Sequence, residues 1–119
     1  MKWKPDKNRP ITPQLCEHIC VRIASGKYTE GQKLPSVRDL ALSIGVNPNT
    51  VQRSYESLEQ QGIIYTLRNL GSFVSKDVSI AKAKVNELAK LKTEEYLQGM
   101  ESLGFELDAT KKYIEEWNV

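Results

Sequence analysis

The sequence predicts a mainly α-helical protein with one small β-hairpin. Over most of the chain, apolar residues recur at the three- and four-residue spacing of amphipathic helices. One short stretch instead concentrates β-branched and aromatic residues on either side of the turn residues 68–71. The length of 119 residues supports one ordinary domain, or a small domain with an appendage.

The first ten residues are expected to form an extended arm. A first helix is predicted from about Thr12 to Gly26, because three aliphatic residues recur every four positions: Leu15, Ile19 and Ile23. The following residues, 27–35, contain Gly and Pro and show no period, so a loop is expected there.

Two closely spaced helices should follow this loop. Ser36 can cap the second helix, with Asp39 three residues later as a near match to the capping-box acid, and Gly45 ends it. Asn47 can cap a third helix that runs to about residue 61. The connection between these two helices is so short that they must cross steeply, and the start of the third helix should project from the body.

The remaining elements are a hairpin and a helical tail. Residues 63–74 are predicted to form the two-stranded hairpin. A long helix is expected from about Val78 to Leu103, where Gly104 stops it, and Asp108 can cap a last short helix. The order of elements predicts a winged helix-turn-helix domain over residues 1–75 and a two-helix dimerisation tail over residues 76–119.

The projecting helix start carries polar side chains on the side away from its apolar stripe. These side chains are suited to base edges and phosphates, and none is acidic: Asn49, Thr50, Gln52 and Arg53. A helix start of this kind can enter the major groove of duplex DNA. Arg68 lies at the tip of the predicted wing, Gly71 allows a close backbone approach, and Arg38 is placed to reach a phosphate.

The charge distribution agrees with a nucleic-acid partner without requiring one. Residues 1–75 hold ten Lys or Arg and six Asp or Glu, giving +4, whereas residues 76–119 hold seven and nine, giving −2. A winged-helix module that binds another protein is the alternative, but the polar, non-acidic helix start and the arginine at the wing tip argue against it.

Other function classes find little support. Cys16, His18 and Cys20 do not share one helix face, so buried thiols are expected there and no metal site. We find no catalytic triad and no phosphate-binding loop, and therefore predict neither an enzyme nor a bound cofactor. No apolar run is long enough to span a membrane and no signal peptide is visible, so a cytoplasmic location is expected.

Several short strings resemble one family when taken in order. These are GQKLPSVRDLA at 31–41, VNPNTV at 46–51, QGII at 61–64 and GSFV at 71–74. Together they resemble the amino-terminal domain of GntR-family bacterial transcription regulators, over about residues 10–75. The short helical tail is similar to that of the YtrA-type subfamily.

The resemblance implies a dimeric repressor. It implies that the residue matching Arg38 contacts DNA from the second helix, that the third helix reads the duplex, and that the wing approaches the minor groove at Gly71. The expected DNA-binding set is Ser36, Arg38, Asn47, Asn49, Thr50, Gln52, Arg53, Arg68 and Gly71.

The tail has more apolar surface than two helices can enclose. The long helix would measure roughly 39 Å, yet only one short helix follows to cover it. A second copy of the chain is the expected cover, which predicts a homodimer on a palindromic operator. The alternative is that the tail folds back on the first helix near Leu15 and Ile19. Whether a small-molecule effector binds stays open. The expected dimerisation set is Val85, Leu88, Leu91, Tyr96, Leu103, Ile114 and Trp117.

Overall fold

The computed structural model describes residues 3–118. Within this range it contains five α-helices and one antiparallel hairpin, so the predicted fold class is confirmed. The elements in chain order are α1 (Ile11–Ala24), α2 (Val37–Ile44), α3 (Pro48–Gln60), β1 (Ile64–Leu67), β2 (Gly71–Val74), α4 (Ser79–Ser102) and α5 (Leu107–Glu115).

The chain divides into two compact units, of which the first extends to Val85. Its core lies where α1 and α2 pack on α3 and where the hairpin closes against α3. The start of α4 belongs to this unit, because Ala81 is buried in the same core and Val78 packs against it. The central aliphatic side chains are at most 2% exposed: Leu15, Ile19, Leu40, Ile44, Val51, Leu58, Ile63, Ile64 and Val74.

The amino-terminal segment differs from the expected extended arm. The Trp3 ring stacks on His18 of α1, with centroids 4.2 Å apart and an interplanar angle of 7°. Pro5 is buried, and a turn follows in which the Arg9 amide donates to the Asp6 carbonyl at 3.2 Å. The arm packs on α1 because this stack and the buried proline remove apolar surface from water.

The wing is wider than two strands. β1 and β2 pair from Ile64 opposite Val74 to Leu67 opposite Gly71. The loop before α2, for which no regular structure was expected, adds a third edge through an isolated bridge between Lys33 and Phe73. This added edge ties the base of the wing to the segment that leads into α2.

The second unit comprises residues 86–119, which the structure describes to residue 118. Gly104, with φ of +90°, follows the end of α4. The expectation that Asp108 caps the last helix is wrong, because α5 begins at Leu107, and Glu106, two residues before Asp108, occupies the cap position. Asp108 lies instead in the first turn, where a carboxylate interacts favourably with the helix dipole. None of the helices described here is both long and apolar enough to cross a membrane.

Candidate nucleic-acid interface

Three residues make the turn between α2 and α3. Gly45 ends α2 in the left-handed conformation, with φ of +71°, which glycine adopts without the steric cost that a side chain brings. The amides of Gly45 and Val46 both donate to the Ala41 carbonyl, at 2.9 and 3.0 Å. Asn47 caps α3 as predicted, because its Oδ1 accepts from the Asn49 amide at 2.7 Å. The α3 helix therefore starts at an exposed turn.

The start of α2 is fixed in a similar way. The hydroxyl of Ser36 accepts from the Asp39 amide at 3.1 Å, which confirms the predicted cap. The buried Tyr55 donates its hydroxyl to the Pro35 carbonyl at 2.7 Å, and burial raises the pKa of Tyr55, so this donor stays protonated. Arg38 follows in the first turn of α2 and is exposed. Tyr55, a core residue of α3, thus positions the segment that carries Arg38.

The exposed face of α3 carries most of the side chains expected there. Asn49, Gln52 and Arg53 are exposed, whereas Thr50 is half-buried. Their spacing places Asn49, Gln52 and Arg53 on one side of the helix. The opposite side is buried in the core and consists of Val51, Ser54, Tyr55 and Leu58.

One acidic residue on this face was missed from the sequence. The Gln52 Nε2 donates to Glu56 Oε1 at 3.0 Å, and Glu56 is exposed. The signal that could have revealed it is the four-residue spacing, which places the two side chains one helical turn apart. Glu56 engages one N–H of the exposed Gln52, which keeps its second N–H and its Oε1 for other partners.

The tip of the wing is both cationic and apolar. Arg68 is exposed there, and Asn69 adopts a positive φ of 65°. Leu67 and Leu70 are also exposed, at 43% and 59%. The tip therefore combines one guanidinium with two alkyl side chains that single-chain packing leaves uncovered.

Lys33 is a second candidate contact residue, which no sequence pattern indicated. Gly71 has φ of +114°, and a Cβ built on it would lie 3.0 Å from Lys33 Cε and 3.8 Å from Lys33 Nζ. The space beside the Gly71 backbone is thus occupied by the lysine side chain. The ammonium group of Lys33 therefore lies at the wing, close to Gly71.

The wing and α3 flank a common recess of about 660 Å³. Gln52 and Glu56 line it from α3, and Asn69 and Gly71 line it from the wing. Within residues 3–118 the single ion pair closer than 4 Å joins Arg9 to Asp6, so Lys33, which lines this recess, and the exposed Arg38 and Arg68 have no carboxylate partner at that distance. The recess thus places the Lys33 ammonium group beside a polar helix face that also carries Glu56 and Glu59.

Cys16, His18 and Cys20 have structural surroundings. Cys16 Sγ lies 3.5 Å from the Ser54 carbonyl, and burial raises the pKa of the Cys20 thiol to about 11. His18 is engaged by the Trp3 ring. The described residues include no cluster of three or more His, Cys, Asp or Glu side chains arranged to hold a metal ion.

Most of the residues expected to mediate dimerisation are uncovered in the single chain. Val85 and Leu88 are half-buried, and Val85 packs against the core of the first unit. The other five are exposed by 43% to 72%: Leu91, Tyr96, Leu103, Ile114 and Trp117. An open groove of about 590 Å³ lies between α4 and α5 in the second unit.

Known proteins share both the sequence and the fold. Residues 12–74 match the family model for bacterial regulatory proteins of the gntR family. The uncharacterised HTH-type transcriptional regulator YhcF of Bacillus subtilis is 38% identical over 109 residues, which cover 92% of this chain and 87% of that protein. The HTH-type transcriptional repressor YtrA of the same organism is 33% identical over 114 residues, covering 94% and 87%. A solved GntR-family transcriptional regulator from Listeria monocytogenes superposes with a TM-score of 0.86 at 35% identity, covering 96% of this chain and all of the other.

Proposed function

Because the chain belongs to the gntR family of bacterial regulatory proteins, which are DNA-binding transcription regulators and not enzymes, we propose that it is a repressor that binds a palindromic operator as a homodimer. The relative YtrA is a repressor, and this supports the direction of regulation. The polar exposed face of α3 beside the cationic wing is the observation that carries the proposal. Such a protein acts on chromosomal DNA, so we place it in the cytoplasm.

The exposed face of α3 reads base edges in the major groove. Asn49 and Arg53 supply donors, and Asn49 also supplies an acceptor. Glu56 engages one of the two N–H groups of Gln52, which leaves one N–H and the amide oxygen for a base edge, and that oxygen can accept from the amino group of adenine or cytosine in the major groove. Base specificity at this position thus depends on Gln52 and Glu56 together.

The flanking residues hold the duplex by its backbone. Arg38 and Arg68 are exposed and supply positive charge from the first turn of α2 and from the wing tip. Thr50, Ser36 and Asn47 lie at helix starts, where hydroxyl, amide and backbone N–H groups suit phosphate oxygens. Gly71 brings the wing backbone close to the minor groove.

The tail joins two copies of the chain. Leu103 and Trp117 are 72% and 62% exposed, and a contiguous apolar surface of this kind marks an interface. Two-fold pairing is the commonest symmetry of soluble oligomers and places the same patch on both sides of the contact. A two-fold dimer sets two α3 helices about 34 Å apart, one turn of duplex, which requires a palindromic site. We assign residues 1–75 to DNA binding and 76–119 to dimerisation.

Base reading is tested by comparing selected and random DNA. An operator is first selected from a random duplex pool with the unmodified protein. Asn49→Ala and Gln52→Ala should each weaken binding to that operator by about 1–3 kcal/mol and bind random duplex almost unchanged. Gln60→Ala, an exposed change at the other end of α3, is the matched control. Equal losses on both kinds of DNA would show that these side chains do not read bases.

Dimerisation is tested with glutamates in the tail groove. Leu103→Glu combined with Ile114→Glu should give a monomer in sedimentation at micromolar concentration, because both side chains are exposed in the single chain and their charges would be buried in the pair. Asn86→Glu with Gln98→Glu adds the same charge at exposed positions of α4 and should leave a dimer. An unmodified protein that sediments as a monomer would contradict the assignment.

A further inference from the structure

We propose that the amino-terminal turn, residues 4–10, is an additional DNA-backbone contact in which Lys7 binds a phosphate beside the turn between α2 and α3. This inference rests on the proposed function and extends it to a segment outside the winged helix-turn-helix. It commits to one ligand, a phosphate of duplex DNA.

The position of Lys7 is the first observation. A Cβ built on Gly45 would lie 3.7 Å from Lys7 Nζ, so the ammonium group lies against the backbone of the exposed turn that leads to Asn47 and α3. Lys7 is exposed and has no ion-pair partner within 4 Å among residues 3–118. The charge is therefore available at the edge of the surface where α3 begins.

The second observation is that this turn is held in place by Gln14 of α1. The Asp6 amide donates to Gln14 Oε1 at 2.8 Å. Three carbonyl oxygens lie within hydrogen-bonding distance of the two N–H donors on Gln14 Nε2, those of Asp6 at 2.9 Å, Pro10 at 2.9 Å and Arg9 at 3.2 Å. One side chain thus contacts four backbone groups of the turn and holds the turn against α1.

Contacts within the turn fix it further. Asp6 Oδ1 accepts from the Asn8 amide at 3.0 Å, and Asp6 Oδ2 lies 3.1 Å from Arg9 Nε. The Asn8 hydrogen bond and the neighbouring Arg9 lower the pKa of Asp6, so the carboxylate remains ionised and keeps both contacts. Asp6 neutralises Arg9, and Lys7 remains as the uncompensated cation of residues 6–10.

The stacking of Trp3 on His18 anchors the other end of the segment to α1. Lys7 is therefore presented on a segment that is tied down on both sides. A preorganised contact loses less conformational entropy on binding than a lysine on a free arm. In helix-turn-helix proteins the helix before the recognition helix crosses the DNA backbone, and Lys7 lies at the end of that helix.

The test measures the salt dependence of duplex binding by full-length variants. The slope of log K against log salt is negative, and each lost phosphate contact reduces its magnitude by about 0.9. A dimer loses one Lys7 contact in each copy, so Lys7→Ala should reduce the magnitude by roughly 1.8. The ratio of unmodified to variant affinity should then shrink about twelvefold between 50 and 200 mM salt. Lys82→Ala is the control, because it removes the same charge from an exposed position on α4.

A neutral variant separates position from charge. Gln14→Ala leaves the net charge unchanged but removes the side chain that holds the turn on α1. Like Lys7→Ala, it should reduce the affinity for duplex DNA. The double variant should bind no more weakly than Lys7→Ala alone, because the turn acts through Lys7. Circular dichroism confirms that each variant is folded.

The outcomes distinguish this inference from the proposed function. If Arg38→Ala lowers the slope whereas Lys7→Ala behaves like Lys82→Ala, the role of Lys7 is refuted and DNA binding stands. If Lys7→Ala lowers the slope but Gln14→Ala binds normally, the anchoring argument is refuted. If the unmodified protein shows no salt-dependent binding to any duplex, the proposed function itself fails.

Discussion

Replacing Gly71 with alanine should destabilise the first unit through its backbone conformation. Gly71 has φ of +114°, a region that residues with a Cβ rarely adopt. Holding a side-chain-bearing residue there costs about 1–3 kcal/mol. The new Cβ would also meet Lys33 Cε at 3.0 Å, but that atom is near the end of a flexible side chain and can move at little cost. The backbone should therefore account for most of the loss.

The size of the effect can be measured by urea unfolding and by thermal unfolding, each followed by circular dichroism. For a unit of 85 residues, each kcal/mol corresponds to roughly 4–8 °C in Tm. Gly99→Ala is the control of opposite sign, because Gly99 lies within α4 without a positive φ and a Cβ there meets nothing within 4 Å. It should stabilise the protein by about 0.5–1 kcal/mol.

A second substitution separates the two causes. Lys33→Ala in the Gly71→Ala background removes the steric contact but leaves the backbone strain, so the double variant should recover only a small part of the lost stability. Full recovery would show that crowding by Lys33 dominates. A Gly71→Ala protein as stable as the unmodified one would refute the reasoning altogether.

Three further predictions concern the interface and the titrating side chains. Arg38→Ala should weaken binding to operator and random duplex by similar factors, since a phosphate contact carries no base information; fluorescence anisotropy with both duplexes checks this, and a loss confined to the operator would contradict it. Burial and the neighbouring positive charges lower the pKa of His18 in the folded protein. As the pH drops below about 6.5, His18 of the unfolded chain takes up a proton that His18 of the folded protein binds less readily, so the free energy of unfolding should fall. His18→Phe keeps the stack on Trp3 without titrating, and its unfolding free energy should fall less between pH 7 and 5. Because the pKa of Cys20 is raised to about 11, its thiol in a Cys16→Ser background should react with a disulfide reagent at pH 8 far more slowly when folded than in urea, and equal rates would show that it is accessible.

The sequence alone determined the order of elements and the local chemistry at their ends. The caps at Ser36 and Asn47 were predictable because each acts on backbone groups two or three residues away. The exposed placement of Asn49, Gln52 and Arg53 followed from the apolar period of α3. Such features depend on near neighbours in the chain, so a pattern of residue types is enough to reveal them.

Only the tertiary structure decided which distant residues meet at the interface. Lys33 lies beside Gly71, and Lys7 lies beside Gly45, through contacts that span 38 residues in each case. Neither lysine differs in type or spacing from any other surface lysine, so no local pattern could select them. The amino-terminal turn, expected to be an extended arm, is held against α1 by Gln14, whose hydrogen-bond partners are set by how the chain folds back. The physical reason is that these contacts arise from the packing of separate elements, whereas caps, turns and helix faces arise from the covalent neighbourhood of each residue.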